Sequence, residues 1–241
     1  MRVETCTDPG HPGRANEDFL GVRSGVAVLV DGAGTTGVDR LCRHGVAWWA
    51  RMLGEAALRR AEGGAGLPDA LASSLAEVAG LHRGTCTLDD DSSPQGCLAM
   101  VRVRGATVEH LVLGDVVVLL ESPDGTVEVV HDDREAAARG CRVAREDPRV
   151  AGRAAHGVTA AGGLAAVAVV SRGVTREARA DGPAGWRRLV ATLRDAGPHE
   201  LVARVRAAEA ADPALEPDDA SVAYLDLRGL SPSPRAAAAR R

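Results

Sequence analysis

Short apolar runs separated by turn residues fill much of the chain. The clearest run, V-A-V-L-V, leads directly into Asp31 and is followed by a Gly-containing turn. A continuous apolar run bounded by a turn is typical of a buried strand, so we predict a strand over residues 26–31. A neighbouring antiparallel strand that begins just after Glu17 and Asp18 would bring both carboxylates close to Asp31. The same pattern also fits an ordinary strand followed by an Asp-Gly turn.

The remaining pattern predicts further strands and four helices. The strands are expected over 1–6, 97–103, 107–113, 116–121, 126–130, 164–170 and 221–227. Apolar residues at helical spacing predict helices over 36–60, 69–81, 186–196 and 199–211. The four strands between 97 and 130 are separated by short Gly- and Pro-containing turns, which predicts an antiparallel meander. Residues 131–163 are expected to combine a short helix with loops.

The order of these elements predicts the fold class. Strands and helices come in blocks rather than in a regular βαβ alternation, so we predict an α+β fold with helices packed outside one or two antiparallel sheets. No linker divides the chain, and we therefore expect a single domain over residues 1–228. The Ser-Pro and Arg-Ala tail over 229–241 is expected to be disordered.

Composition limits the classes of function. The chain has 241 residues and a formal net charge of −4, which disfavours a nucleic-acid-binding surface. We find neither a secretory leader nor an apolar run of about 18–20 residues, so we expect a cytoplasmic protein without membrane contact. The five cysteines are scattered and include no C-x-x-C pair. This spacing predicts free or buried thiols rather than a zinc site.

Acidic clusters lie at several predicted strand boundaries. They are Glu17-Asp18, Asp31 and Asp218-Asp219. Hard divalent cations such as Mg²⁺ and Mn²⁺ prefer several oxygen ligands, and carboxylates gathered from distant strand ends could supply them, together with the backbone carbonyl of Gly32. Two such ions can activate a water molecule and hold a phosphoryl group. We find neither the phosphate-binding loop of the NTPases nor the nucleophile elbow of the α/β-hydrolases.

Five segments, taken in order, resemble motifs of the metal-dependent protein phosphatases of type 2C. They are R-A-N-E-D-F from Arg14, V-L-V-D-G-A-G at 28–34, L-V-L-G-D at 111–115, V-V-H-D-D at 129–133 and P-D-D-A-S-V at 217–222. They are similar to that family's R-x-x-N-E-D, D-G-x-G, v-G-D-S, T-x-D-H and D-N-x-T-V segments. The resemblance covers about residues 3–228.

This resemblance implies both a fold and an activity. The fold would be a four-layer α-β-β-α sandwich of two mostly antiparallel sheets, with two Mg²⁺ or Mn²⁺ ions at one end. The implied ligands are Asp31 as the bridge between the ions, the carbonyl of Gly32, Asp218 at one ion, and Glu17 and Asp18 at the other, directly or through waters. Arg14 would bind the substrate phosphate, which suits its guanidinium fork. The chain would then hydrolyse phosphoserine and phosphothreonine in a phosphoprotein with a metal-activated water.

Position 172 departs from the family pattern. The family has S-D-G where this chain has Ser171-Arg172-Gly173, and that aspartate is a metal ligand. A guanidinium beside the cations would repel each of them by on the order of several kcal/mol, even at an effective dielectric near 20. Either the Arg172 side chain turns outward, or one ion is weakened or lost. A smaller departure is Asp219, which replaces an asparagine.

Three hypotheses therefore stay open. The first is an active phosphatase with one weakened metal site. The second is a catalytically inactive pseudophosphatase that retains the fold and binds a regulatory partner protein. The third is an unrelated α+β domain in which the acidic turns are merely solvated.

Overall fold

The computed structural model describes residues 1–34, 42–87, 93–132 and 144–229. Within these ranges ten strands form two sheets, and helices cover their outer faces. The strands are β1 (Arg2–Asp8), β2 (Asp18–Arg23), β3 (Val26–Ala33), β4 (Gln95–Arg104), β5 (Thr107–Leu113), β6 (Val117–Glu121), β7 (Val127–Val130), β8 (Ala155–Ala160), β9 (Ala166–Val170) and β10 (Ala220–Asp226). The helices are α1 (Val46–Glu62), α2 (Leu67–His82), α3 (Arg172–Ala180) and α4 (Gly182–Ala211).

The two sheets have five strands each. One has the order β1-β10-β9-β6-β7, and the other has the order β2-β3-β4-β5-β8. All of these neighbours pair antiparallel. Non-consecutive neighbours such as β1 and β10 show that both ends of the described chain enter one sheet.

Strand β3 shows how the layers arise from the sequence. Successive side chains of a strand point to opposite faces of the sheet, and every residue of the V-A-V-L-V run is buried because both faces are covered. Val28 packs among residues of α1 and α2, whereas Leu29 packs between the two sheets. In the other sheet Tyr224 packs against Leu193 of α4 and its neighbours. The predicted α-β-β-α sandwich is confirmed.

The prediction that four consecutive strands form one meander is wrong, because the chain changes sheet between the second and third of them. Strand β4 pairs with β5, and β6 pairs with β7, but the two hairpins belong to different sheets. The chain crosses between the sheets at Gly114, which has a φ of 85° and donates its N–H to Asp132 Oδ2 at 3.2 Å. Turn spacing alone cannot distinguish a hairpin from such a crossing, because all four strands are strongly apolar.

The region 131–163 contains a strand that the sequence pattern did not predict. The expected short helix is a 3₁₀ helix at Pro148–Arg153, but β8 follows it and pairs with β5 at the sheet edge. Its residues, A-H-G-V-T-A, alternate between half-buried and exposed, so they lack the apolar run of a buried strand. Residues 133–143 of this region lie outside the described part of the chain.

The helical predictions need two corrections and gain one confirmation. The first helix begins at Val46 rather than at residue 36, and 35–41 lie outside the described residues. Helix α3 was not predicted, because its sequence R-G-V-T-R-E-A-R-A is mostly polar. The break between the last two predicted helices is confirmed, since Gly197 in α4 has a non-helical φ of 84° and precedes Pro198.

Two further expectations concern the chain end and the membrane. The tail predicted to be disordered lies outside the described residues from 230 onward. Of the helices in the described ranges, none combines the length and the apolar character that a bilayer span requires.

Candidate active site

Asp18 and Asp31 face each other across the first hairpin. Asp18 opens β2, and its cross-strand partner in β3 is Asp31. The hairpin packs closely at this end, because a Cβ at Gly32 would lie 2.4 Å from the carbonyl oxygen of Glu17 and 2.7 Å from Val46 Cγ1. Only glycine fits there without a shift of the backbone. The predicted meeting of the two carboxylates is thus a direct result of strand register.

The second sheet adds two more carboxylates. Asp218 lies two residues before β10, and Asp115 lies two residues before β6. Both raise the pKa of Asp31 by their charge, which places them in the same electrostatic neighbourhood. Three of the residues proposed from the sequence, Asp18, Asp31 and Asp218, therefore lie in one electrostatic neighbourhood. Asp115 was missing from the predicted ligands, although it closes the L-V-L-G-D segment that carried part of the resemblance.

Burial and the charges of neighbouring carboxylates make Asp18, Asp31 and Asp218 difficult to ionise. The pKa of Asp31 is raised well above its usual value, first by burial and then by the charges of Asp18 and Asp115. The pKa of Asp18 is raised to about 7, chiefly by burial. Burial likewise raises the pKa of Asp218. A cluster with these properties favours the binding of protons or cations between its carboxylates.

Glu17 and Asp219 have different surroundings. Burial is the largest cause that raises the pKa of Glu17, the charge of Asp219 raises it further, and Arg14 acts against both. The carboxylate of Asp219 accepts the backbone N–H of Gly10 at 2.8 Å and that of Glu17 at 2.6 Å. Asp219 thus ties the segment before β2 to the segment before β10, and this role explains an acidic residue at that position.

Arg172 contacts the cluster through its backbone. As the first residue of α3, it donates its N–H to Asp31 Oδ2 at 3.0 Å. Its side chain is 61% exposed, with Nε 3.7 Å from Asp115 Oδ2. The guanidinium charge also lowers the pKa of Asp218, although burial outweighs it. The Arg172 side chain is therefore largely exposed, but it pairs with Asp115, another carboxylate of the cluster.

A cavity of about 470 Å³ opens beside these carboxylates. Its wall combines both signs of charge, from His11, Arg14, Glu17, Arg172, Arg176, Glu216, Asp218 and Asp219. Arg14, the predicted phosphate ligand, is exposed at this cavity. An acidic floor with an arginine-lined wall can accommodate cations and an anionic substrate at the same time.

The carboxylate cluster fits hard divalent cations. Asp18 Oδ2 is buried and has no hydrogen-bond partner among the described residues, although the side chains of Ser171 and Ser221 interact with the Asp18 carboxyl group. The donors there are all oxygen atoms, as Mg²⁺ and Mn²⁺ prefer. Positive charge would also relieve the repulsion between Asp31 and its neighbours. The residues present therefore match the cofactor that the sequence predicts.

Comparison with known proteins agrees with this geometry. No protein-family model matches the sequence, and no curated protein matches it either. Among solved structures, a variant of a bacterial serine phosphatase aligns with a TM-score of 0.70 and 15% identity, over 94% of this chain and 98% of the other. The serine/threonine phosphatase PstP/Ppp of Mycobacterium tuberculosis aligns with a TM-score of 0.67 and 15% identity, over 93% and 97%.

This chain has the fold of the bacterial type 2C serine/threonine phosphatases. A third neighbour, PppA of Pseudomonas aeruginosa, is a regulatory component of the T6SS and aligns with a TM-score of 0.65 and 18% identity, over 93% of this chain and 96% of the other. The catalytic domain of PstP has been crystallised in complex with two manganese ions. At these identities the likeness shows the fold, and the chemistry of this chain has to be argued from its own residues.

Proposed function

We propose that this chain is a divalent-cation-dependent phosphatase that hydrolyses phosphoserine and phosphothreonine in proteins. The observation that carries the proposal is the position of Asp31, which shares one end of the two facing sheets with Asp18, Asp115 and Asp218. The fold shared with bacterial serine/threonine phosphatases supports it. We propose residues 1–228 as one catalytic domain.

The carboxylates at this end are the proposed cation ligands. Asp31 would bridge two ions of Mg²⁺ or Mn²⁺, with the Gly32 carbonyl and Asp218 completing one shell, and Glu17 and Asp18 holding the other directly or through waters. Bound ions of this kind supply an activated water and neutralise charge on a phosphoryl group. The backbone N–H of Arg172 orients the Asp31 carboxylate through its 3.0 Å hydrogen bond. This contact would hold one oxygen of Asp31 in place while the other stays available.

The arginines of the cavity are the proposed substrate-binding groups. Arg14 lines the same cavity as Asp218, and its planar guanidinium can donate two parallel hydrogen bonds to a phosphate. Arg176 also lines this cavity and donates to the Glu216 carbonyl at 2.9 Å. That bond holds its positive charge at the cavity wall. The cavity is open and polar, which suits a phosphorylated segment of a protein.

One observation favours a second candidate function, an inactive phosphatase that binds a regulatory partner. The guanidinium of Arg172 stands 3.7 Å from Asp115 and lowers the pKa of Asp218, so it already compensates part of the charge that a cation would neutralise. If this compensation displaces one ion, the fold would bind phosphoprotein without turnover.

Hydrolysis of p-nitrophenyl phosphate by the full chain with millimolar Mn²⁺ separates the two candidates. We expect wild-type turnover that depends on Mn²⁺ and that falls to background in Asp31→Asn, because the bridging carboxylate is lost. Asp147→Asn is the matched control, since Asp147 pairs with Arg149 on the surface, and it should retain wild-type rates. Arg172→Asp should increase kcat/KM by removing the competing charge. An inactive wild type with an active Arg172→Asp variant would support the regulatory candidate instead.

A further inference from the structure

Two cysteines and two histidines from two separate segments of the chain converge in space. They are Cys42, His44, His82 and Cys86, and one potential ligand atom from each lies within 4.8 Å of all the others. In the described part of the chain this is the one group in which ligand atoms from three or more such residues lie so close together. The remaining described cysteines, Cys6 and Cys97, are buried elsewhere. The scattered cysteines of the sequence are thus brought together in space.

The separations between these atoms match a tetrahedral metal site. Zinc lies about 2.3 Å from thiolate sulfur and about 2.0–2.1 Å from imidazole nitrogen, so sulfur and nitrogen ligands of one ion stand about 3.5 Å apart. Here Cys86 Sγ lies 3.4 Å from His44 Nδ1. Cys42 Sγ lies 3.8 Å from His82 Nδ1 and 3.9 Å from His44 Nδ1. The two thiols and two imidazoles thus already have nearly the spacing of a coordination shell.

Local structure holds the four side chains in this arrangement. After α2, a tight turn returns the chain, because the N–H groups of Thr85 and Cys86 both donate to the carbonyl of His82. This turn places Cys86 beside His82. Before α1, backbone hydrogen bonds from His44 and Gly45 reach the Cys42 thiol. Burial raises the pKa of the Cys42 thiol, and these N–H donors act against that shift, because they stabilise the thiolate form that binds metals.

Trp48 orients both imidazoles. Its ring stacks on His44 with 4.3 Å between centroids and meets the edge of His82 at 5.5 Å. His82 is only 3% exposed, so its ring has few alternative orientations. Packing around the ligands, rather than a ligand alone, is what gives a metal site its geometry. The tryptophan therefore has a role beyond filling space against the helix.

We propose that Cys42, His44, His82 and Cys86 bind one zinc ion in a closed structural site. Two thiolates and two neutral imidazoles balance the charge of Zn²⁺, and four protein ligands leave no open position for substrate. Mg²⁺ and Mn²⁺ prefer oxygen ligands and are not expected there. The chemistry of this site is therefore distinct from that of the carboxylate cluster, and the proposal does not rest on phosphatase activity.

The site would join two helices next to the candidate active site. It ties the segment before α1 to the end of α2. The first residue of α1, Val46, packs against Gly32, where a Cβ would come within 2.7 Å of Val46 Cγ1. Zinc would thus fix the start of α1 against the strand end that carries Asp31. Structural zinc sites contribute directly to folding free energy.

Metal analysis of the purified full chain tests the proposal. Protein expressed with added zinc and dialysed against metal-free reducing buffer should contain about one zinc per chain. Asp31→Asn and Cys6→Ala should retain that zinc, whereas Cys42→Ser and Cys86→Ser should lose it. Zinc that follows Asp31 instead would overturn the proposal, and so would a different transition metal bound by the four residues.

Cobalt binding keeps the test independent of how the variants fold. Wild-type protein stripped of metal and titrated with Co²⁺ should develop a thiolate-to-cobalt charge-transfer band and the intense visible bands of tetrahedral cobalt, and zinc should abolish both. The zinc-loaded protein should also melt at a higher temperature than the chelator-treated protein. No metal in the isolated protein and no cobalt band would overturn the proposal. A disulfide between Cys42 and Cys86, seen by intact mass in protein prepared under reducing conditions, would also overturn it.

Discussion

Asp31 is a carboxylic acid that the fold makes unfavourable to ionise. Burial is the largest cause of its raised pKa, and Asp18 stands opposite in the register of the hairpin. One backbone N–H, that of Arg172, acts in the other direction. At the scale of single residues, several carboxylates therefore lie close together, and the other groups of the protein neutralise only part of their negative charge. Such a site destabilises the folded protein in the absence of metal, but it increases the affinity of the protein for cations.

The metal-free protein should lose stability as the pH rises through the acidic range. Asp18, with a pKa of about 7, and Asp31, with a pKa raised well above its usual value, stay protonated in the folded state. In the unfolded chain they release protons near pH 4, so the folded state binds more protons above that pH and unfolding becomes easier as the pH rises. In a chelator at pH 7.5, Asp31→Asn should raise Tm by about 2–4 °C for each kcal/mol that protonation of Asp31 costs the folded wild type.

Thermal unfolding of wild type and Asp31→Asn at pH 5 and 7.5, both in chelator, measures this effect. The difference in Tm between the two proteins should be larger at pH 7.5 than at pH 5. At the higher pH the unfolded aspartate is fully ionised, so keeping the folded one protonated costs more. A variant that is no more stable than wild type at pH 7.5 would contradict the electrostatic description of the cluster.

The sequence predicts part of this residue-scale arrangement. Glu17, Asp18 and Asp31 could be placed together, because a hairpin between apolar strands leaves little freedom of register. The contact of Arg172 with Asp31 could not be predicted, since it depends on the start of a polar helix. Asp115 lay in a segment noted for its resemblance, but its approach to Asp31 depends on how the two sheets face each other.

At the scale of elements, glycines allow the ends of strands and helices to meet around the site. A Cβ at Gly173, in the first turn of α3, would lie 2.2 Å from the carbonyl oxygen of Asp219. A Cβ at Gly10 would lie 2.6 Å from the carbonyl carbon of Asp218. Both contacts are to backbone atoms, which cannot rotate away. The segments before β2, β10 and α3 are therefore packed to backbone distance.

Gly173→Ala should destabilise the protein and weaken hydrolysis. Alanine is favoured over glycine in a helix by about 1 kcal/mol, but the clash with Asp219 should cost about 1–3 kcal/mol and displace Arg172 from Asp31. Urea unfolding and Mn²⁺-dependent turnover measure both effects. Gly162→Ala is the matched control, because a Cβ there meets nothing within 4 Å. Equal losses in both variants would contradict the packing argument.

Sequence pattern succeeds for elements with strong periodicity and fails for the others. Strand β3 was predicted from its continuous apolar run, and helix α2 was predicted because its apolar residues recur at the helix period. Strand β8 has little apolar surface and exists through its pairing with β5. The zinc-type cluster carries a pattern, C-x-H followed by H-x₃-C, but the 37 residues between His44 and His82 hide it. Its recognition requires the packing of α1 on α2.

At the scale of the whole molecule, the core between the sheets holds the two halves of the carboxylate cluster together. Asp18 and Asp31 belong to one sheet, whereas Asp115 and Asp218 precede strands of the other. The inter-sheet core consists mainly of Val, Leu and Ala, with Leu29 completely buried in it. The geometry of the site therefore depends on the fit of two sheets rather than on one loop.

Leu29→Ala should lower the free energy of unfolding by about 2–5 kcal/mol, since it removes buried methyl groups and leaves a cavity. Val158→Ala, at a position 67% exposed in the edge strand, should change it by less than about 0.5 kcal/mol. The midpoints of urea unfolding compare the two. Similar midpoints would show that the inter-sheet core does not carry the stability assigned to it.

The sequence predicted that helices cover two sheets, but it did not predict which strands belong to which sheet. Blocks of strands and helices indicated sheets covered by helices, and the family resemblance implied four layers. The crossing of the chain between sheets at Gly114 was missed, because the strands on both sides are equally apolar. Which sheet a strand joins is decided by pairing partners far away in sequence, such as β9 for β6.

The binding of Mn²⁺ to the full chain tests the central claim most directly. Free Mn²⁺ has an electron paramagnetic resonance signal that is lost on binding, so a titration gives the number of ions bound per chain. We predict that the wild type binds Mn²⁺, that Asp31→Asn loses this binding, and that Asp147→Asn retains it. Equal Mn²⁺ binding by the wild type and Asp31→Asn would contradict the assignment of the carboxylate cluster as a metal site.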